Sequence, residues 1–322
     1  MLRVQIFMIC ITSIASALLF LDDNNPHFKG HDAPISLGVV VGAFMFGIGM
    51  QIGDGCGSGS CTNAGIALSL QQQSNRLYAI ITILAFIAAS TLGAFHFEFW
   101  DQFEFFELNF ITQFGIFPAI TFQVGFLLIM ALVVYRIEYC SFGKVQSWWN
   151  PNENSSYQAL NVTRRRNIPL IWAGILVPVA SILIFWQRGS PWGVTSAFAL
   201  WGSKSLVLVT DVEMWYYWKK KRLMSIWYDH ESVMNISLIL TTAIISSVTT
   251  INNPCKEKKT RNILGAIIGG SFMGYGARIA HGCNIGAFYG GIISYSLLGW
   301  VWILCAYPGM MLGCRLRPFF NI

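Results

Sequence analysis

Two cysteines, 227 positions apart, stand in the same local sequence. Cys56 lies in LGVVVGAFMFGIGMQIGDGCGSG (37–59) and Cys283 in LGAIIGGSFMGYGARIAHGCNIG (264–286), each directly after a glycine, Gly55 or Gly282. A thiol is soft, polarizable and a weak hydrogen-bond donor, which suits a sulfur atom better than an oxygen. Gly55, Gly57 and Gly59 cannot easily continue a helix, whereas Ser60, Thr62 and Asn63 are good caps for a new one running to about Gln73. Amides freed at such a break, together with the positive end of the next half-helix, attract an anion. These residue types describe a site for a small sulfur-bearing anion. Its candidate members are Cys56, Cys283 and Cys61, with Gly55, Gly57, Gly282 and Asn284 beside the thiols.

Two further pairs of equivalent positions differ in charge. Asp54 and His281 each precede their cysteine by two residues. An ionised Asp beside an anion is unfavourable, so Asp54 is expected to organise the glycine loop, while His281 either does the same or titrates with transport. Gln51 corresponds to Arg278, which as an intramembrane charge is a functional candidate, able to snorkel or to pair with an acid such as Glu213. A third break, RGSPWGVTSAFALWGSK (188–204), has Pro191 suited to a first helical turn and Thr195 and Ser196 as polar contacts for a further half-helix. Cys10, Cys140, Cys305 and Cys314 lie in apolar runs and read as buried packing residues, and no CxxC pair suggests a redox or metal motif. Neither a metal nor a cofactor is expected. A dinucleotide reading of GIGMQIG fails because the third glycine of G-x-G-x-x-G would fall at Ile52.

The elements that hold these residues form an internal duplication. Nine of the 23 positions in the two copies are identical without a gap, where average residue usage gives about one or two. Within each copy Gly38, Gly42, Gly49 and Gly53, or Gly265, Gly269, Gly276 and Ala280, fall near one helix face and permit close backbone approach. With 54% hydrophobic and only 11% charged residues, the chain departs from the roughly 25% charge of soluble domains and reads as an all-α integral membrane protein. Apolar runs long enough to span a bilayer cover about 3–20, 77–95, 111–135, 169–187, 232–251 and 292–314. The first lacks a convincing signal cleavage site before Leu21 and reads as a span. The net charge of +6 collects in loops, so nucleic acid is not implied. The sequons at Asn154, Asn161 and Asn235 are short enough to arise by chance.

Charge also orients the chain. The loop HFEFWDQFEFFELNF carries Glu98, Asp101, Glu104 and Glu107 without Lys or Arg, whereas Arg136, Lys144 and Arg164–Arg166 follow the next span. The acidic loop is expected outside and the basic loop inside, with Arg315 and Arg317 also inside. The first copy then runs inward and the second outward from Arg261, giving an inverted-topology repeat with broken, re-entrant helices. Repeat 1 covers about 35–135 and repeat 2 about 169–317 of one transmembrane domain, 1–322. The middle resists this scheme: a single span at 232–251 puts KKKR (219–222) and KEKKTR (256–261) on opposite sides, so one cluster departs from the rule. MWYYWKKKRLMSIWY reads as interfacial, and eight or nine crossings are expected.

The two Gly-Cys repeats together with SPWGVTSAFALWG resemble the YeeE/YedE family of membrane proteins, from about Leu37 to Arg317. That resemblance implies an hourglass-like fold in the bacterial inner (plasma) membrane, with cysteines along a narrow central path. It also implies uptake of thiosulfate handed on by S–H hydrogen bonds, with a TusA-like soluble sulfur carrier as partner. Cys56 and Cys283 match the family's Gly-Cys positions; a further entrance cysteine of the family has no unambiguous match. Other members are tied to selenium metabolism. The competing class is a membrane thiol enzyme, a sulfurtransferase or disulfide type reacting at Cys56 and Cys61, although C-x4-C across a glycine turn is not a known redox spacing.

Overall fold

The computed structural model describes residues 2–21, 28, 30–69, 76–143, 145, 170–248 and 262–322. Lys144, Arg164–Arg166, the 256–261 cluster, Gln73 and the sequons at Asn154 and Asn161 lie outside the described residues. In chain order the helices are α1 (Leu2–Phe20), α2 (Leu37–Ile52), α3 (Gly57–Leu68), α4 (Arg76–Phe95), α5 (Phe97–Asp101), α6 (Phe110–Phe114) and α7 (Ile116–Phe142). They continue as α8 (Leu170–Arg188), α9 (Val194–Leu206), α10 (Tyr216–Lys221), α11 (His230–Val248), α12 (Ile263–Ile279), α13 (Gly290–Ile293) and α14 (Leu297–Leu316). The strands β1 (Ile35–Ser36) and β2 (Glu104–Phe106) form a short antiparallel pair. Among the described residues seven stretches are long and apolar enough to cross a membrane, and a shorter apolar segment covers Gly174–Arg188. The chain is an all-α, multi-pass membrane protein.

Three expected boundaries shift for local reasons. The helix after Cys56 ends at Leu68 rather than near Gln73, where the Ser69 hydroxyl donates to the Ile66 carbonyl at 2.7 Å and competes with helical continuation. The span expected at 111–135 is broken at Gly115, φ +81°, and then runs on to Phe142, where Gly143 closes it in the left-handed conformation. The last span begins at Leu297 rather than near 292, because Ser294–Ser296 leaves the helix with Tyr295 at φ 60°.

The chain divides into two compact units. One comprises Met1–Asp32, Leu108–Pro191 and Gly291–Ser296. In it α1 packs on α7 and α8, and Gly174 lets α8 approach α1 so closely that a Cβ there would sit 3.2 Å from Val4 Cγ1. Carbonyls freed by the break before Leu297 are captured by side chains, as irregular backbone at membrane depth requires. Gln123 Nε2 donates to the Ile292 carbonyl at 2.9 Å and to Ser13 Oγ at 2.8 Å, and Ser16 Oγ donates to the Ile293 carbonyl at 2.6 Å.

The second unit comprises Ala33–Glu107, Trp192–Gly290 and Leu297–Ile322, and it holds both motif copies. Its glycine faces decide how its helices stack. A Cβ at Gly42 would lie 2.9 Å from Ala280 Cβ, and one at Gly49 would lie 2.7 Å from Met273 N and 2.8 Å from the Gly269 carbonyl. Rising numbers in α2 thus meet falling numbers in α12, so the two copies pack antiparallel. On its other side α12 packs parallel to α4: Gly270 faces Ala85, Gly274 faces Ser90, and Gly93 faces Arg278. Beside this stack, α10 is tied to the acidic loop, because Lys220 Nζ reaches Asp101 Oδ2 at 2.6 Å and the Tyr216 hydroxyl donates to the same carboxylate. KKKR therefore lies beside the acidic loop.

Candidate functional site

After α2 and after α12 the backbone makes the same turn. Asp54 and His281 both adopt the left-handed conformation, at φ 57° and 59°. Cys56 and Cys283 are both extended, at φ −97°, ψ −167° and φ −103°, ψ −170°. The hydrogen bonds repeat as well: Gly53 N–H donates to Gly49 and Ala280 N–H to Gly276, then Ser60 N–H to Cys56 and Ala287 N–H to Cys283, both of these last at 2.8 Å. Each turn thus ends one helix and starts a short one whose first residue follows a cysteine. Beyond this point the copies differ. The first continues as α3, whereas Asn284–Tyr289 winds as a π-helix in which Phe288 N–H also donates to the Cys283 carbonyl.

The turns bring thiols together. A Cβ at Gly57 would lie 3.5 Å from Cys283 Sγ, 3.2 Å from Thr195 Cγ2 and 3.5 Å from Val194 Cγ1, so the bare Gly57 backbone faces the thiol and the start of α9. Cys61 and Cys283 belong to one buried apolar cluster, and Cys56 packs against it. Cys61 and Cys283 are fully buried, while Cys56 is partly accessible, with Sγ 3.4 Å from Ser58 Oγ. Around them are polar atoms with no hydrogen-bond partner among the described residues: Ser60 Oγ, Asn284 Oδ1, and the indole nitrogens of Trp192 and Trp302. Buried polar atoms left in this way are uncommon and point to a missing partner.

Asp54 shapes the loop through its main chain, since Asn63 Nδ2 donates to its carbonyl at 3.0 Å, and its carboxylate lies 3.7 Å from Arg317 Nη2. The His281 ring sits edge-on to Phe97 at 5.6 Å. Arg278 neither snorkels nor meets Glu213: its side chain is buried, while Glu213 is exposed in the 3-10 turn Val212–Met214. Its Nη2 donates to the Thr195 carbonyl at 2.7 Å, its Nη1 donates to the Tyr217 hydroxyl, and its Cζ stands 4.9 Å over the Tyr217 ring. Pro191 precedes the helix it was expected to start; α9 begins at Val194 with Gly193 as its cap.

Of the four cysteines read as buried packing, Cys140 and Cys314 are exposed on α7 and α14, and Cys10 and Cys305 are half-buried. An apolar run in a membrane helix places a thiol on the outer surface as readily as inside, so hydropathy alone does not bury it.

Residues 1–312 match the family described as sulphur transport. The chain belongs to that family. Over 157 residues this sulphur-transport chain is 34% identical to a protein named probable transporter YedE from Escherichia coli (strain K12). It is 33% identical to the protein of the same name from Salmonella typhimurium (strain LT2). In each case the alignment covers 48% of this chain and 38% of the relative, so the match spans well under half of those relatives' length.

Sequence reasoning missed Tyr217, Val194 and Asn235. Tyr217 stood in a segment read as interfacial, where nothing distinguished it from its aromatic neighbours. Asn235 was noted only as a chance sequon, yet it is fully buried and its Nδ2 donates to the Val194 carbonyl at 2.7 Å, fixing the start of α9. A polar side chain inside a spanning run was the available signal.

Proposed function

We propose that the chain transports a small sulfur-bearing anion, with thiosulfate as the substrate, along a path through Cys56, Cys61 and Cys283. The observation that carries the reading is the repeated turn, in which Asp54 and His281, and then Cys56 and Cys283, adopt matching backbone conformations, with Cys283 Sγ and Thr195 both facing the Gly57 backbone. The sulphur-transport family and the transporter names of its relatives support the same class of activity. In this mechanism the thiols hold the sulfur end of the anion by S–H hydrogen bonds and pass it on without a covalent intermediate. Gly55, Gly57 and Gly282 leave backbone exposed to it. Ser60 and Asn284, together with the indole N–H groups of Trp192 and Trp302, supply polar contacts. The two breaks lie in oppositely directed copies, which we place in the plasma membrane with the acidic loop outside, and a TusA-like carrier is the expected receiver inside.

Uptake of labelled thiosulfate in cells lacking their own importers tests this directly. Cys56→Ala and Cys283→Ala are each expected to abolish uptake at normal membrane levels, with Cys305→Ala nearly silent. Wild-type uptake in both of the first two would remove the central path. A selenium oxyanion taken up in place of thiosulfate would keep the path and change the substrate. The enzyme alternative requires a persulfide on Cys56 or Cys61 that forms and discharges during turnover, which intact-protein mass spectrometry detects.

A further inference from the structure

We infer that Arg278 is the fixed positive charge that makes the thiol site selective for anions, and that Tyr217 positions it. The inference rests on the transport reading above and adds to it the source of the charge selectivity. A guanidinium stays protonated in any protein setting, and a charge taken out of water without a counter-charge is strongly unfavourable. Arg278 is only 4% exposed, yet its hydrogen-bond partners are a carbonyl and a phenol, both neutral. Its Nε–H has no partner among the described residues. Among the described residues the guanidinium has no carboxylate partner, and a bound anion supplies the counter-charge.

The placement fits. The carbonyl that Arg278 grips belongs to Thr195, whose methyl group faces the same Gly57 backbone as Cys283 Sγ. One residue therefore separates the guanidinium from the thiol site. Gly93 of α4 makes room for the arginine stem, because a Cβ there would lie 2.7 Å from Arg278 Cβ. Tyr217 covers the guanidinium with its ring face and accepts from Nη1, an arrangement that holds a planar cation in one orientation. The equivalent position in the first copy is the neutral Gln51, so the duplication carries this charge at one break alone.

The test uses the full chain in neutral phosphatidylcholine nanodiscs and follows thermal unfolding with thiosulfate, sulfite, sulfate, selenite and chloride, and with neutral thiourea as control. In the wild type at least one anion is expected to raise the melting temperature, as any ligand of the native state does, and thiourea is not. Arg278→Gln should weaken that anion about tenfold or more, while its anion-free melting temperature stays level or rises because an uncompensated charge has gone. Arg278→Lys should retain part of the anion effect, and Tyr217→Phe should weaken it severalfold. An anion shift undiminished in Arg278→Gln overturns the inference, as does a wild type stabilised by no anion in the series. A merely structural brace gives the reverse pattern, a lower anion-free melting temperature with the anion shift intact. Should Arg278→Gln fail to fold, an unchanged anion shift in both Arg278→Lys and Tyr217→Phe overturns the inference equally. Anion stabilisation lost in Arg278→Gln, with no thiosulfate uptake in cells, strikes the transport reading and leaves the role of Arg278 standing.

Discussion

Asp54 and His281 show how two residues of opposite charge serve one backbone need. Both hold the left-handed conformation that breaks the helix before the cysteine, a conformation that costs a residue other than Gly, Asn or Asp about 1 kcal/mol. The substitutions that matter are therefore those that change the backbone preference. Asp54→Gly and His281→Gly are expected to leave stability level and to retain most uptake, whereas Asp54→Val and His281→Val lose about 1–2 kcal/mol and most uptake, as thermal unfolding and transport assays will show. Loss of uptake in His281→Gly with stability unchanged would assign the imidazole a direct role in transport. Gly57 is constrained by space instead of by φ. A methyl group there presses on Thr195 at 3.2 Å and narrows the approach to Cys283 at 3.5 Å. Gly57→Ala should cost about 1 kcal/mol and lower the rate of thiosulfate uptake out of proportion to that loss of stability.

At the scale of elements, the paired glycine faces and the α10 strap make different demands. At Gly49 the α2/α12 contact brings the main chain of α12, Met273 N and the Gly269 carbonyl, within 2.7–2.8 Å of a Cβ position, and backbone cannot yield to an intruding group as the Met273 side chain can. Gly49→Val, placed against Met273 N and the Gly269 carbonyl, is expected to cost about 3 kcal/mol or more and to reduce the folded protein recovered, read by fluorescence-detected gel filtration. The α10 strap is held by charge and so depends on pH. Burial works against the Asp101 carboxylate, but hydrogen bonds from Lys220 and Tyr216 outweigh it and hold its pKa below the usual range, while the same contact with Asp101 raises that of Lys220. The contribution of Asp101 is present above its unfolded value of about 3.9 and is lost as pH falls through its lower folded value. That of Lys220 is complete below about 10.4 and is lost as pH rises through its higher folded value. Glu104 opposes these, since burial and its hydrogen bond to Asp101 raise its pKa, and it contributes most when protonated. The protection of amides 216–221, taken relative to their intrinsic exchange rate at each pH, should accordingly hold at neutral pH and fall once Lys220 deprotonates. Lys220→Met should lower it at pH 7 by no more than about fivefold, because a half-exposed ion pair is worth at most about 1 kcal/mol. Unchanged protection in both experiments would show that α10 is held by its aromatic contacts alone.

Over the whole molecule, what the sequence made legible was local and what it hid was remote. The Gly-Cys breaks, their symmetry and most spans could be read because glycine spacing and apolar run length act within a few residues. The partner of Arg278 could not, because Tyr217 lies 61 residues away and no periodicity says where a buried guanidinium points. Likewise the break before Leu297 is satisfied by Ser16 and Gln123 on distant helices, so its own composition gave no sign of it. The place of KKKR belongs to the same class, since its contact with the acidic loop joins Lys220 to Asp101, remote in sequence. That contact now sharpens the topology into a test. Trp100 packs beside Gly38 near the start of α2, with Cβ 3.3 Å from a Cβ built at Gly38, whereas Arg317 reaches Asp54 beyond its end. The acidic loop and the chain end at Arg317 therefore lie at opposite ends of one spanning helix. With Cys140 and Cys314, exposed among the described residues, and also Cys255 replaced, single cysteines at Gln102 and Lys221 should label together from outside intact cells. Those at Arg165 and Asn321 should label only after permeabilisation. Reversal of both pairs would invert the orientation. Labelling of Lys221 with Asn321 instead of with Gln102 would break the α10 docking, and labelling of Gln102 and Asn321 from one side would remove the inverted arrangement of the two Gly-Cys copies.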